Sequence, residues 1–337
     1  MKENNESSNK KPRPPKALLF LMELRAPFFT GSIVPILLGT SLAFYHTGNW
    51  HWPLFLLTLA AMTLIHAGAN VANDYFDHIN GNDEKNVDFV RPFTGGSRMI
   101  QNKLLTPREV LGLSLVCFAV GSAIGLYLVS QAGVFILVLG IIGVLGGFFY
   151  TAPPFFLVSR GIGELVIGIN FGILPVVGAY FIQTGQFRWD IVLFSLPIAF
   201  LISAVLFINQ FQDYEADKAV GKRHWVVRLG RRNAVKVFFM LMSIWMVPII
   251  IAVLKGMGPL LCLIALAPII LASKAMLTAA KNYDHPKELA PANALTIITH
   301  LTIGILLAGT MVVSGYGKSK KTEESQKIPV TLKESLK

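Results

Sequence analysis

Nine stretches of this chain are apolar on every face and close to 20 residues long, at about 17–45, 53–77, 108–129, 133–150, 162–184, 190–212, 234–254, 259–280 and 291–314. A helix of that length crosses a bilayer core of roughly 30 Å. Inside lipid, helices and closed barrels are the structures that satisfy their own backbone. A soluble bundle would carry amphipathic stripes instead. The chain therefore reads as an all-α integral membrane protein, a bundle of nine transmembrane helices. The first run is broken near Arg25-Ala26-Pro27, so its opening turns are expected to lie along the interface before the span proper. Residues 1–16 are polar and read as a disordered cytoplasmic N-terminus, 17–315 as the transmembrane domain, and 316–337 as a disordered tail.

The formal net charge is +11, a value that elsewhere suggests nucleic acid. Its distribution points to lipid. Lys85, Arg91, Arg98 and Lys103 follow the second run, Arg160 follows the fourth, and Lys218, Lys222, Arg223, Arg228, Arg231, Arg232 and Lys236 follow the sixth. The intervening loops hold only Arg188 and Lys255. This alternation is the positive-inside pattern. It predicts a multi-pass protein of the cell (inner) membrane with its N-terminus and basic loops in the cytoplasm, and no nucleic-acid partner. Cys117 and Cys262 lie mid-run and read as small apolar residues.

Two polar stretches interrupt the apolar pattern where a run meets a basic loop. The first is Asn73-Asp74-Tyr75-Phe76-Asp77 with Gly81 and Asp83; the second is Asn209-x-x-x-Asp213-x-x-x-Asp217. Four residues advance about 400° around a helix, so Asn73 and Asp77 share a face, as do Asn209, Asp213 and Asp217. Stacked carboxylates repel one another and call for a compensating cation. Hard cations such as Mg²⁺ take oxygen ligands completed by substrate phosphates. The pair reads as a metal–diphosphate clamp at one membrane face, with Asp77, Asp83, Asp213 and Asp217 as ligands. Capping of helix ends by acidic residues does not explain two Asn-x-x-x-Asp repeats at matching positions.

With those motifs in view, residues 20–315 resemble the UbiA superfamily of intramembrane prenyltransferases. Asn73 to Asp83 is similar to the first motif of the branch that prenylates 1,4-dihydroxy-2-naphthoate for menaquinone. The ubiquinone branch carries a second Asp where this chain has Gly81. Asn209 to Asp217 with Gly221-Lys222 and Val227-Arg228-Leu229-Gly230 resembles the second motif. Tyr150-Thr151-Ala152-Pro153-Pro154 through Arg160-Gly161-Ile162-Gly163-Glu164 resembles the connection after the fourth span. The chain departs from the naphthoate branch at Gln212, where an Arg is usual, and at Arg223-His224-Trp225.

The resemblance implies a nine-helix bundle in which the motifs face one another across a cavity. It also implies Mg²⁺-dependent transfer of a polyprenyl group from its diphosphate to an aromatic acceptor, the polyprenyl tail entering laterally from the bilayer. In that scheme Asp77, Asp213, Asp217 and Tyr150 are catalytic, the tyrosine ring facing an allylic cation; read from its position alone, Tyr150 is equally an interfacial tyrosine. Asn73, Asn209, Lys222, Arg98, Arg91 and Arg160 bind substrate. Cytoplasmic loops are basic in any case, so each Arg has a bland reading beside the functional one. Asp74 is expected to act behind the ligands, to bind a basic loop residue or to ligate the metal directly, and Asn70 equally to be a packing amide. A secondary transporter would place its polar site near the bilayer midplane. A CDP-alcohol phosphotransferase would need a dense acidic block that is absent. Other acceptors, among them 4-hydroxybenzoate and homogentisate, stay open.

Overall fold

A computed structural model describes residues 13–327, with side chains through 318. The described chain is helical, with no strand among these residues. Helix α1 (Lys16–Glu23) is short and amphipathic. It buries Leu19 and Glu23 and leaves Leu18, Leu21 and Met22 exposed. Arg25 then adopts a left-handed conformation (φ 57°), and Pro27 opens a tight turn into α2 (Thr30–Thr47). The break expected at Arg25-Ala26-Pro27 is present. Helices α3 (Trp52–Ile79), α4 (Asn82–Lys85), α5 (Pro107–Ala132) and α6 (Val134–Phe148) complete the first half. In the second half, α7 (Gly163–Thr184) contains a π-helical turn at Ile169–Ile173, and α8 (Trp189–Gln212) leads into the short α9 (Tyr214–Ala219) and α10 (Trp225–Leu229). Helices α11 (Arg231–Leu254), α12 (Leu260–Asn282) and α13 (Ala290–Lys327) follow.

Eight helical segments, counting α1 and α2 together, are long and apolar enough to cross a membrane. The ninth expected run, α6, has 15 residues. At 1.5 Å per residue it reaches about 22 Å, short of a full hydrocarbon core. The expectation of an unstructured tail from residue 316 meets a helix that runs on to Lys327, because Ala290 to Lys327 contains no Pro beyond its first turn to stop it. At the other end, Arg13 donates to the carbonyls of Lys103 and Leu104, and the N-terminal residues before it lie outside the described part.

Helix α3 packs along α5, α2 lies between α7 and α13, and α8 contacts the π turn of α7 together with α11 and α13. Phe194, Phe207, Phe211, Phe238 and Trp245 are fully buried around α8, which anchors the second acidic motif. Small residues set the closest approaches. A Cβ on Gly172 would stand 2.4 Å from the Ala199 Cα, and one on Gly39 would stand 2.3 Å from the Val176 carbonyl. That is the small-residue packing of membrane helices.

Candidate active site

The two acidic stretches meet at one end of the bundle. Helix α3 runs unbroken through Asp77 and ends at Ile79, capped by Asn80; Gly81 follows with φ 76°, a left-handed turn that favours glycine and returns the chain into α4, where Asp83 is buried. Helix α8 ends at Gln212, Asp213 occupies the junction, and Asp217 lies one turn on in α9. Asp77, Asp83, Asp213 and Asp217 all line one cavity of about 230 Å³, together with Asn73, Asn209, Lys222 and Tyr150.

Lys222 ties the two motifs together. Its Nζ lies 2.5 Å from Asp77 Oδ1 and 3.7 Å from Asp217 Oδ1, with the side chain almost fully buried. Burial disfavours the ammonium charge, but the facing carboxylates Asp77 and Asp217 outweigh it and hold the lysine above its ordinary value. Burial pushes Asp217 up, yet Lys222 and His224 outweigh that and keep it below the usual carboxylate range. His224 is buried, with Nε2 2.9 Å from Asp217 Oδ2. Its Nδ1 accepts from the Val227 N–H at 3.4 Å, which leaves Nε2 to carry the proton donated to Asp217.

The other two carboxylates have amide partners. Asn86 donates to Asp213 Oδ1 at 2.7 Å and Gln101 to Asp83 Oδ2 at 3.0 Å, while Arg98 stands 3.9 Å from Asp83. Burial and then Asp77 raise Asp83 to about 8. Burial and then Asp217 raise Asp213 to about 7. Asn73 donates to Asp77 Oδ2 at 2.9 Å, and Asn209 accepts from Asn293 at 2.6 Å. Against four carboxylates the lining offers only Lys222 and Arg25 as full cations. This oxygen-rich, acid-excess donor set suits a hard divalent cation. Among the described residues no three His, Cys, Asp or Glu gather tightly enough to hold an ion by themselves. Asp77, Asp83, Asp213 and Asp217 are the residues that would hold such an ion.

Some expected residues stand elsewhere. Arg98 donates to the carbonyls of Asp83 (2.5 Å) and Asn86 (2.7 Å) and stacks on Phe89, so it braces the loop and does not line the cavity. Arg91 is exposed and reaches the Ser97 carbonyl at 3.4 Å. Arg160 donates to the carbonyls of Phe155 and Pro154. Asp74 does bind a basic residue and a loop: its Oδ2 accepts from the Ser97 N–H at 2.7 Å, and Arg25 lies 3.5 Å from Oδ1. Gly96 (φ 65°) faces this carboxylate so closely that a Cβ would meet Asp74 Oδ1 at 2.9 Å. Gln212 points away from the cavity, donating to the Pro286 carbonyl and accepting from Asn293. Glu164 accepts from the Trp225 N–H at 3.0 Å and so fixes the start of α10.

The cavity also recruits Arg25, His66, Asn70, Asn82, Asn86 and Gln210. Tyr150 is buried in its wall, and burial followed by Glu164 holds its phenol well above the ordinary value. A second cavity of about 350 Å³, lined almost wholly by apolar side chains of α3, α5, α6 and α7, shares Ala69, Gly147, Asn170 and Phe171 with the first. A polar chamber thus abuts an apolar one, and the sequence pattern matches accordingly: residues 32–303 fit the model of the UbiA prenyltransferase family.

The chain belongs to the UbiA prenyltransferase family. It is 29% identical over 307 residues to the 2-carboxy-1,4-naphthoquinone phytyltransferase of Synechocystis sp., covering 90% of this chain and 94% of that protein. It is 29% identical over 235 residues to the 1,4-dihydroxy-2-naphthoate octaprenyltransferase of Bacillus subtilis, covering 68% of this chain and 73% of that protein. Among solved structures, a UbiA homolog from Archaeoglobus fulgidus bound to GPP and Mg²⁺ superposes with a TM-score of 0.65 at 18% identity, covering 88% of this chain and 98% of that one. That likeness establishes the fold, and the family resemblance read from the motifs holds.

Proposed function

We propose that this prenyltransferase moves a polyprenyl group from its diphosphate to 1,4-dihydroxy-2-naphthoate, a step of menaquinone biosynthesis. The observation that carries this reading is the convergence of four carboxylates and a buried lysine at the edge of an apolar cavity. Two relatives, one named for a 2-carboxy-1,4-naphthoquinone and one for 1,4-dihydroxy-2-naphthoate, support a bicyclic acceptor of this kind. Asp77, Asp83, Asp213 and Asp217 would hold Mg²⁺ against the diphosphate; bound there, the ion neutralises charge that builds on the leaving group. Lys222 and Arg25 add positive charge on the same wall. The C–O bond to diphosphate breaks, a C–C bond forms at an electron-rich ring carbon, and that carbon releases its proton or its carboxyl group as CO₂. The Tyr150 ring supplies an aromatic face to the allylic cation. The apolar cavity takes the start of the prenyl tail and keeps water away from the cation. Arg98, Arg91 and Arg160 act by bracing the loops around the site.

Membranes containing the protein, incubated with labelled prenyl diphosphates and a panel of aromatic acceptors, test the reading by product mass. Prenylated naphthoquinol is expected. Activity on a monocyclic acceptor with none on the naphthoate would overturn the choice of acceptor. The chamber opens on the cytoplasmic side in this account. Cysteines placed at the exposed Lys85 and Asn49 should therefore label from opposite faces of sealed vesicles, and labelling of both from one face would contradict it.

A further inference from the structure

Four side chains that line the polar cavity carry buried polar atoms with no hydrogen-bond partner among the described residues: Gln210, through both Nε2 and Oε1, Asn70 Nδ2, the Tyr150 hydroxyl and, next to Asp83 at the charged end, Asn82 Oδ1. Gln210 is 4% exposed. Leaving a buried amide unsatisfied costs about 1–3 kcal/mol, so its two free atoms call for a ligand. Their depth narrows which one. Gln210 precedes Asp213 by three residues and Asn70 precedes Asp77 by seven. At 1.5 Å per residue they lie about 4.5 Å and 10 Å further from the helix ends than the carboxylates. Leu206, Ile202 and Phe171 line the same cavity. The neutral amides thus form a belt between charged and apolar walls.

Each reactant can be tried against that belt. The diphosphate is a polyanion and belongs with the cation site and Lys222; the Gln210 carbonyl would repel it. A prenyl tail has nothing with which to hydrogen-bond. The hydroxylated edge of the acceptor ring has both a donor and an acceptor to offer, and it adjoins the ring carbon that must come within bond-forming reach of the carbon leaving the diphosphate. A neutral amide holds such an edge without placing a charge that would trap the allylic cation. Resting on the prenyl-transfer reading above, we propose that Gln210 is the acceptor-recognising residue, pairing its Oε1 and Nε2 with the oxygen-bearing edge of a hydroxylated aromatic, and that Asn70 makes the second contact. Gln212, which the sequence pattern singles out, is held between Pro286 and Asn293 and has no free polar atom to offer.

The test compares Gln210→Met and Gln210→Asn with the unaltered full-length protein in nanodiscs. Gln210→Met is expected to raise the acceptor KM 10- to 100-fold while the prenyl diphosphate KM stays within twofold, and Gln210→Asn to recover part of the loss. The unaltered protein should also favour a free hydroxyl over its methyl ether on the acceptor, and Gln210→Met should lose that preference. Unchanged acceptor KM, or donor and acceptor constants rising together, would overturn the assignment. Titration with 1-hydroxy-2-naphthoate, without donor, reads the same contact independently of turnover: weaker binding by Gln210→Met is expected, and equal binding contradicts the proposal. If another aromatic proves to be the substrate, the naphthoate reading fails while the Gln210 comparison is made on that acceptor.

Discussion

The four carboxylates of the chamber form two unlike pairs. Asp77 and Asp217 are already served by a cation of the chain itself, Lys222, at 2.5 and 3.7 Å. Asp83 and Asp213 are served by the amides of Gln101 and Asn86. The consequence is visible in Asp217 and Asp213, one helical turn apart: burial pushes both up, but Lys222 and His224 bring Asp217 below its ordinary value, while Asp213 stands at about 7. One side of the site is neutralised within the fold, and the other retains an acid excess suited to a bound divalent ion. Each acidic motif contributes one carboxylate to each pair, so the division runs across the motifs and not between them.

That contrast can be broken in steps. Removing a carboxylate from either pair should have the largest effect: Asp77→Ala and Asp213→Ala are expected to lower turnover roughly a thousandfold or more, the scale of losing about 4 kcal/mol of transition-state charge stabilisation. Insertion and detergent-extracted monodispersity should be unchanged, because both side chains face the chamber. Full activity in either variant would contradict the division of labour. Lys222→Met should cost less, about a hundredfold in kcat/KM for the prenyl diphosphate. It should also lower the melting temperature in EDTA, since breaking a buried pair by removing one partner is destabilising by several kcal/mol. Mg²⁺ should restore part of that loss, and a melting temperature insensitive to both changes would show that the pairing is idle.

The amide-partnered side predicts a pH effect with a definite sign. Asp83 near 8 and Asp213 near 7 are protonated at pH 6 when no cation is bound. A cation must displace those protons, so apparent Mg²⁺ affinity should rise about tenfold or more from pH 6 to pH 8. Asp83→Asn should flatten the slope, and a pH-independent affinity would contradict the shifts. The smallest effect belongs to the loop behind the site. Gly96→Ala forces a side chain into a left-handed backbone and against Asp74, at a cost of order 1–3 kcal/mol. Activity is expected to fall about tenfold with the metal dependence retained.

Much of this arrangement was legible from residues alone. The apolar runs fix the helices to within a few residues because lipid imposes both length and all-round hydrophobicity, and the spacing of Asp77, Asp213 and Asp217 puts them on facing surfaces. Lys222 was legible as a basic residue one loop past Asp217, though nothing local says that it crosses to Asp77. The arginines were misdirected by the same logic: a glycine loop with Arg98 looks like an anion cradle, but folding turns that guanidinium onto the Asp83 and Asn86 carbonyls. Arg25 was hidden because it enters the chamber from a helix break far away in sequence. Asn70 and Gln210 were accessible in principle, at helical spacing from Asp77 and Asp213. A polar residue inside a span, however, has an equally good reading as interhelical glue until the cavity shows that no helix answers it.

If the two motifs form one cation site completed by the diphosphate, cation and diphosphate must bind cooperatively. Isothermal titration of Mg²⁺ into the purified protein, with and without geranylgeranyl diphosphate, tests it most directly. Mg²⁺ alone is expected to bind weakly, to bind at least tenfold tighter with the diphosphate present, and to lose that coupling in both Asp77→Ala and Asp213→Ala. Diphosphate binding that is equally tight in EDTA, or coupling that survives removal of either aspartate, would contradict it.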